Sequence, residues 1–413
     1  MFVKEFECLK CGKTFSPSEE IYVCRECGGK LAISYDYDGI SKKINREELE
    51  KRPGGVWKYR ELLPISDPKN MVTLGEGGTP LIKAENLSKV LRIDDLWLKD
   101  ETRNPTSSFK DRPMSVGVSK ALEFGAETVC TASSGNAATA LAAYSAKGGI
   151  DCYAFVPEDV PEAKLAQLAL HGANVVRAAH QEKGDPSYEL MKMGFENFGW
   201  HPIPSGGAFN PYQPEGNKTM SYEICEQMNW ETPDWYLVPV GAGTLLSGNA
   251  KGFFELEELG LIDEIPRIGG IQAEGCAPLV KGFKEGTDPY DIPTWEGPNT
   301  VAGGLIDPYP WDADTALPAI KKSGGTAESV PDEDILSALE LLARTEGIFA
   351  EPSGAAGLAG LIKLVENGEI DRSEKAVISV TGGGLKDQKT AVELAGEIPT
   401  IKPNLEELKK LVD

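Results

Sequence analysis

Histidine is nearly missing from this chain of 413 residues; there are three, His171, His180 and His201. Their spacing fits neither a catalytic triad nor a metal site, so no histidine base is evident. Positive charge is also short. Against 64 Asp and Glu stand 42 Lys and Arg, a net charge of −22. Such a surface repels nucleic acid and anionic membrane and favours solubility. Salt adaptation does not account for it, because lysine dominates the cations, 31 to 11 Arg. No uncharged apolar run reaches membrane-spanning length. Glu5 and Glu7 fall where the apolar stretch of a secretion signal would lie. Internal repeats and low-complexity segments are absent. These absences predict a soluble, cytoplasmic protein with no nucleic-acid or membrane partner.

The remaining composition, 41% hydrophobic with 26% charged residues and 45 Gly, is that of a globular protein long enough for two or three domains. Of eight cysteines, Cys130, Cys152, Cys225 and Cys276 are scattered, as buried thiols of a reducing compartment would be. The other four form two pairs, Cys8-x-x-Cys11 and Cys24-x-x-Cys27, 12 residues apart. A CxxC turn sets two thiolates on one side of a tight loop, and Gly12 and Gly28-Gly29 follow the two turns. Two such turns make a four-sulfur cage suited to Zn²⁺. With four protein ligands no position is open to water, so the metal would be structural; two disulfides are the alternative.

Beyond this module, residues 1–34, a charged connector with one helix spans 35–70. From about 71 the pattern alternates strand, loop and helix. Thr128–Ala132, Cys152–Val156 and Asn174–Arg177 read as strands, as do Trp235–Val240, Ile268–Gln272 and Ala376–Val380. Helical segments are expected over Asn136–Lys147, Ala163–His171, Ser247–Leu259, Glu333–Arg344, Ala355–Val365 and a charged tail, Asn404–Val412. The alternation implies βαβ units and a mostly parallel sheet.

Asn104-Pro105-Thr106-Ser107-Ser108-Phe109-Lys110-Asp111-Arg112 carries the most chemistry. Pro105 and the small residues after it make a fixed turn, and Phe109 is an apolar neighbour. A lysine desolvated there has a lowered pKa and can attack an aldehyde. If the aldehyde is pyridoxal phosphate, a phosphate cradle is required. Gly241-Ala242-Gly243-Thr244, between a strand and a helix, offers converging backbone N–H groups and a helix N-terminus; a plain strand-to-helix turn is the alternative. Ser133-Ser134-Gly135-Asn136 lies in a similar position. Its N–H groups can hold a substrate carboxylate, and Asn136 can either meet a ring hydroxyl or simply cap its helix. Thr381, at the end of a buried strand, can meet a ring nitrogen or be an ordinary strand-end threonine. With no histidine base, Lys110 itself would shuttle the proton.

Together these segments resemble the threonine synthase family of fold-type II pyridoxal-phosphate enzymes. The resemblance runs from about Thr73 to Gln388. It includes Gly77-Gly78-Thr79-Pro80-Leu81, Asn104–Arg112, Ala132–Asn136, Asn210-Pro211-Tyr212 with Glu215-Gly216, Gln272-Ala273-Glu274-Gly275, Glu351-Pro352 and Thr381–Asp387. It implies an α/β, tryptophan synthase beta-like fold, with two three-layer α/β domains behind an N-terminal zinc ribbon. Residues 71–111 and 210–395 would form the large cofactor-binding domain, 112–209 the small one, and 396–413 a tail. Lys110 matches the Schiff-base lysine, Asn136 the ring-hydroxyl partner, Gly241, Ala242, Gly243, Thr244 and Leu245 the phosphate loop, and Thr381 the ring-nitrogen partner. A neutral hydroxyl at that nitrogen tempers the electron sink and suits elimination and replacement. A homodimer is likewise implied.

The implied reaction is γ-elimination and β-addition, turning O-phosphohomoserine and water into threonine and phosphate. Four positions depart from the family pattern: Gln213 stands for Arg, Ala137 for Thr, Gly383 for His, and the phosphate loop lacks its usual Asn residues. Losing Arg removes a bidentate phosphate contact, for which Lys218 or Arg112 are the candidate replacements. A β-replacement or β-elimination enzyme acting on serine, phosphoserine, acetylserine or threonine is therefore the alternative, and a binding or regulatory protein that keeps the fold and contacts a partner through the zinc ribbon a third.

Overall fold

Short apolar runs bounded by Gly, Pro and Asp form the strands, and these sort into three sheets in the computed structural model, which describes residues 2–181 and 184–412. The first is antiparallel. β1 (Val3–Cys8) lies between β2 (Thr14–Phe15) and β3 (Leu31–Tyr35), with Phe6 opposite Phe15 and Ile33 and Cys8 opposite Leu31. The connector holds two short α-helices, Tyr37–Ser41 and Arg46–Glu50, and the 3₁₀ turns Val56–Leu62 and Pro68–Asn70, where one helix was expected. The reason is local: Asp36 and Asn45 each accept a backbone N–H, from Gly39 and Glu48, and so start a separate helix.

β4 (Leu81–Lys83) and β5 (Asp95–Asp100) belong to the largest sheet. The chain then leaves to build a smaller one from β6 (Thr128–Ala132), β7 (Asp151–Pro157), β8 (Asn174–Ala178) and β9 (His201–Pro202). Its order is β8-β7-β6-β9, all parallel. It returns for β10 (Trp235–Pro239), β11 (Arg267–Ala273), β12 (Thr326–Val330) and β13 (Lys375–Val380), giving the order β12-β11-β10-β13-β5-β4. Only β4 runs antiparallel in that sheet. β10 is buried at every position, as a central parallel strand covered on both faces must be.

The six expected helices form, two of them with shifted starts, while Asp111–Glu123, Pro186–Phe198 and Thr219–Gln227 are among the helices that were not expected. The helix after β10 starts at Thr244 rather than Ser247, because Gly243 adopts φ +105° and turns the loop directly into the helix. Another starts at Pro352 rather than Ala355, with proline in its first turn. Helix Pro352–Glu366 covers one face of the large sheet, through Leu358 and Leu361 against Ile271 and Ile378. The other face packs on helices Thr244–Glu258 and Ala313–Lys322 through Leu246, Phe253 and Ile320. Phe6, Leu31, Ile33 and Tyr35 of the cysteine module belong to that same core, so the module is packed into the body of the protein. Among the described residues, no helix is long and apolar enough to cross a membrane.

Candidate active site

The C-terminal ends of β6, β10 and β13 carry the three loops singled out above, and Lys110 lies among them. In open parallel sheets this edge is where ligands bind. Lys110 immediately precedes helix Asp111–Glu123. Its turn is fixed from both sides. Within it, Ser107 takes a left-handed φ of +61°, and the Asp111 carboxylate accepts from the Thr106 N–H at 3.1 Å and hydroxyl at 2.8 Å. Across from it, Phe109 N donates to Thr381 O at 3.0 Å and Gly383 N to Ser107 O at 2.9 Å. The lysine turn is thus stitched to the end of β13.

The Lys110 amine donates to Ser205 O at 2.8 Å and lies 4.8 Å from the Phe109 ring centre. Burial pulls its pKa down to about 8, against the opposing pull of Asp312 and Asp307. At neutral pH a useful fraction is then the free amine a nucleophile needs. Next to Ser205, Gly206 approaches the Thr244 hydroxyl, so the amine and the loop after β10 face a common space. In that loop Gly241 and Ala242 are half-buried and Gly243 turns the chain, so Thr244 and Leu245 open the helix with its N–H groups toward the loop. Asp307 sits beside Gly241, and burial raises its pKa to about 7.

Asn136 is the first residue of helix Asn136–Gly148, with Gly135 in the capping position, so the capping alternative is not what its side chain does. Its amide donates to Glu351 Oε1 at 2.7 Å. Gly382 lies against both groups; any Cβ there would strike the Glu351 carboxylate. Burial pushes Glu351 up to about 7, opposed by the Asn136 bond and by Lys386 and Lys164. Ser133, Ser134 and Gly135 are half-buried, with Ser133 N held on Phe155 O at 3.1 Å. Thr381 is buried at the end of β13, and its hydroxyl has no hydrogen-bond partner among the described residues. A small set of polar groups thus converges on a lysine: backbone N–H groups, an amide and a hydroxyl. That donor set fits a phosphorylated pyridine aldehyde.

Two sequence candidates do not reach this cleft. Arg112 is fully buried and spent on Glu101 at 2.7 Å and Glu223 at 2.7 Å, with Lys99 on Glu223 at 2.8 Å. Lys218 is fully buried between Glu215 at 2.7 Å and Glu255 at 2.9 Å. Neither can compensate for the missing arginine, since a second anion would have to displace a buried ion pair. Gln213 instead braces the segment before it, donating to Gly206 O at 2.9 Å and Pro204 O at 3.3 Å. Glu351 entered the sequence reading only as part of a motif, and Asp307, Asp312 and Ser205 not at all.

In the N-terminal module the sulfurs of Cys8, Cys11, Cys24 and Cys27 lie within 4.8 Å of one another, with Cys8–Cys27 at 3.5 Å and Cys11–Cys24 at 3.7 Å. Four thiolates around one Zn²⁺ at ordinary bond lengths stand about 3.8 Å apart, so the donors fit that metal. His201 is buried, bonded to Tyr22 Oη at 2.7 Å, and burial pulls it down to about 3; it is a structural imidazole.

The chain belongs to the pyridoxal-phosphate dependent enzymes, whose family model matches residues 72–382. Likeness in fold agrees: maize serine racemase superposes with a TM-score of 0.63 at 24% identity, over 74% of this chain and 88% of that one. Threonine deaminase isoform 2 of Solanum lycopersicum gives 0.67 at 23%, over 84% and 96%. Within that class, this chain is a member of the threonine synthase family. It is 46% identical to the threonine synthase of Methanocaldococcus jannaschii and 42% to that of Methanosarcina acetivorans, over 98% of both chains in each case. The Mycobacterium tuberculosis threonine synthase is 39% identical, over 85% of this chain and 92% of that one.

Proposed function

We propose that this chain is a pyridoxal-phosphate-dependent threonine synthase that converts O-phosphohomoserine and water to threonine and phosphate. The observation that carries the reading is the placing of the Lys110 amine, held on Ser205 O at 2.8 Å where three strand-end loops meet, with burial lowering its pKa to about 8. Lys110 would hold the cofactor and move protons at the substrate's Cα and Cβ. The loop Gly241-Ala242-Gly243-Thr244-Leu245 would take the cofactor phosphate, Asn136 its ring hydroxyl and Thr381 its ring nitrogen. Ser133, Ser134 and Gly135 would bind the substrate carboxylate. The bound cofactor supplies an electron sink for the charge left by proton removal. A structural zinc on Cys8, Cys11, Cys24 and Cys27, a division into units 1–34, 35–70, 71–111 with 210–395, 112–209 and 396–413, a cytoplasmic setting and a homodimer complete the reading. The free, buried thiols of Cys130, Cys152, Cys225 and Cys276 support a reducing compartment.

For the substrate phosphate we assign Lys386 and Lys164. Both act on Glu351, one from the turn after β13 and the other from helix Glu162–Leu170. Lys386 Nζ reaches Gln167 of that helix at 3.3 Å. The burial of Arg112 and Lys218 favours a second reading, a β-elimination or β-replacement enzyme on serine or its esters. Phosphate release and threonine formation from O-phosphohomoserine, lost in Lys110→Ala, is the expected result. Serine or acetylserine turnover without phosphate release would select the second reading. Neither activity, with no pyridoxyl label on Lys110 after borohydride reduction, would reject both.

A further inference from the structure

One side chain of the cysteine module reaches the residue that holds the loop after β10. Lys30, three residues after Cys27, bonds to the Asp312 carboxylate, to Asp314 Oδ1 at 3.0 Å and to Thr315 Oγ1 at 3.1 Å. Asp312 is a bracket around the phosphate loop. Its carboxylate accepts the Thr244 hydroxyl and, at 3.3 Å, the Gly207 N–H, while its own N–H donates to Ala242 O at 3.0 Å. The Asp312 side chain is only 2% exposed. A buried negative charge bonded to Thr244 opposes a phosphate dianion arriving at the same loop, unless a cation offsets it.

Lys30 is that cation, and the sulfur cage holds it in place. Its carbonyl accepts from Leu9 N at 3.0 Å, the next residue, Leu31, pairs with Cys8, and a Cβ on the preceding Gly29 would sit 2.9 Å from Cys8 Sγ. Beside the bridge lies a cavity of about 340 Å³, lined in part by Leu31, Ile33, Ala250, Phe254 and Ala319. Elsewhere the module is held to helix Thr244–Glu258 by core packing and by Lys251, which donates to Ile33 O at 2.7 Å; the ionic bridge is the link that ends on Asp312.

We propose that Lys30 is a positioning residue for the cofactor phosphate: it neutralises Asp312, lets the loop Gly241–Leu245 accept a phosphate dianion, and couples that loop to the four-cysteine module. The inference rests on the pyridoxal-phosphate reading above. It assigns the module a task in cofactor retention beyond holding its own fold.

The test is cofactor affinity of the full-length chain, followed by the cofactor's absorbance, with phosphate-free pyridoxal as the control and zinc content measured on each sample. Lys30→Met should keep its zinc and raise the pyridoxal-phosphate Kd roughly tenfold or more, with pyridoxal affinity unchanged. Lys30→Arg should stay within about threefold of the parent, because the charge remains. Lys30→Met with Asp312→Asn should regain part of the loss, since the carboxylate bonded to Thr244 is gone while that of Asp314 remains. Stripping the metal from the parent should mimic Lys30→Met, which keeps the question decidable if that variant does not fold. An unchanged Kd in Lys30→Met or in stripped parent overturns the proposal, as does an equal loss of pyridoxal, which marks plain packing. A parent that binds neither ligand overturns the underlying cofactor reading instead, and this inference with it.

Discussion

Asn136 and Glu351, 215 residues apart in sequence, meet at 2.7 Å, the amide of a helix that follows β6 donating to a carboxylate that precedes helix Pro352–Glu366. The bond fixes which way the Asn136 side chain points. It also places an acid with an elevated pKa next to the residue assigned to the cofactor ring.

Replacing Glu351 with Gln should therefore stabilise the cofactor-free protein at alkaline pH. The native-state value, about 7, lies above the ordinary 4.5. The folded form thus binds the extra proton, and ionisation costs stability progressively from pH 4.5 up to 7. Glu351→Gln removes that cost, on the order of 1 kcal/mol for a partly exposed group, at pH 8 and leaves pH 4 nearly unchanged. Thermal melts at the two pH values check it; an equal shift at both would contradict the elevated value.

Lys386→Met should raise the KM for O-phosphohomoserine about tenfold or more while sparing the cofactor's absorbance. A kcat loss at constant KM would place Lys386 outside the substrate-phosphate contact.

Arg112→Met should destabilise the fold by about 3–5 kcal/mol, because Glu101 and Glu223 would be left as buried carboxylates short of a partner. Urea unfolding measures it. If the variant folded normally and lost only substrate affinity, Arg112 would be a substrate ligand after all.

Cys11→Ser should reduce the bound zinc, expected at one ion per chain, and lower Tm by more than about 5 °C, since the module shares its core with the large sheet. Metal analysis with calorimetry tests both parts; a zinc-free parent with an unchanged melt would sink the metal assignment.

What was legible in the sequence was mostly local. The turn Asn104–Arg112, the glycine loop after β10, Thr381 at a strand end and the paired CxxC turns each carry their geometry within a few residues, and each lies where its pattern placed it. Lys218 and Arg112 went wrong for the opposite reason. A basic residue near a motif looks available until its partners are known, and Glu255, Glu101 and Glu223 come from distant segments. Asp307 and Asp312 gave no signal, and Glu351 only its place in a motif, because acids are abundant here and only tertiary folding selects those that are buried. The early start at Thr244 was missed because one glycine's backbone angle, not periodicity, sets it.

The two backbone bonds between the Lys110 turn and the end of β13 have a mechanical consequence. The backbone of the lysine turn and the Thr381 hydroxyl ride on one seam, while the amine at the end of the Lys110 side chain is also tied to Ser205 O beyond β9, so one residue bridges both sheets.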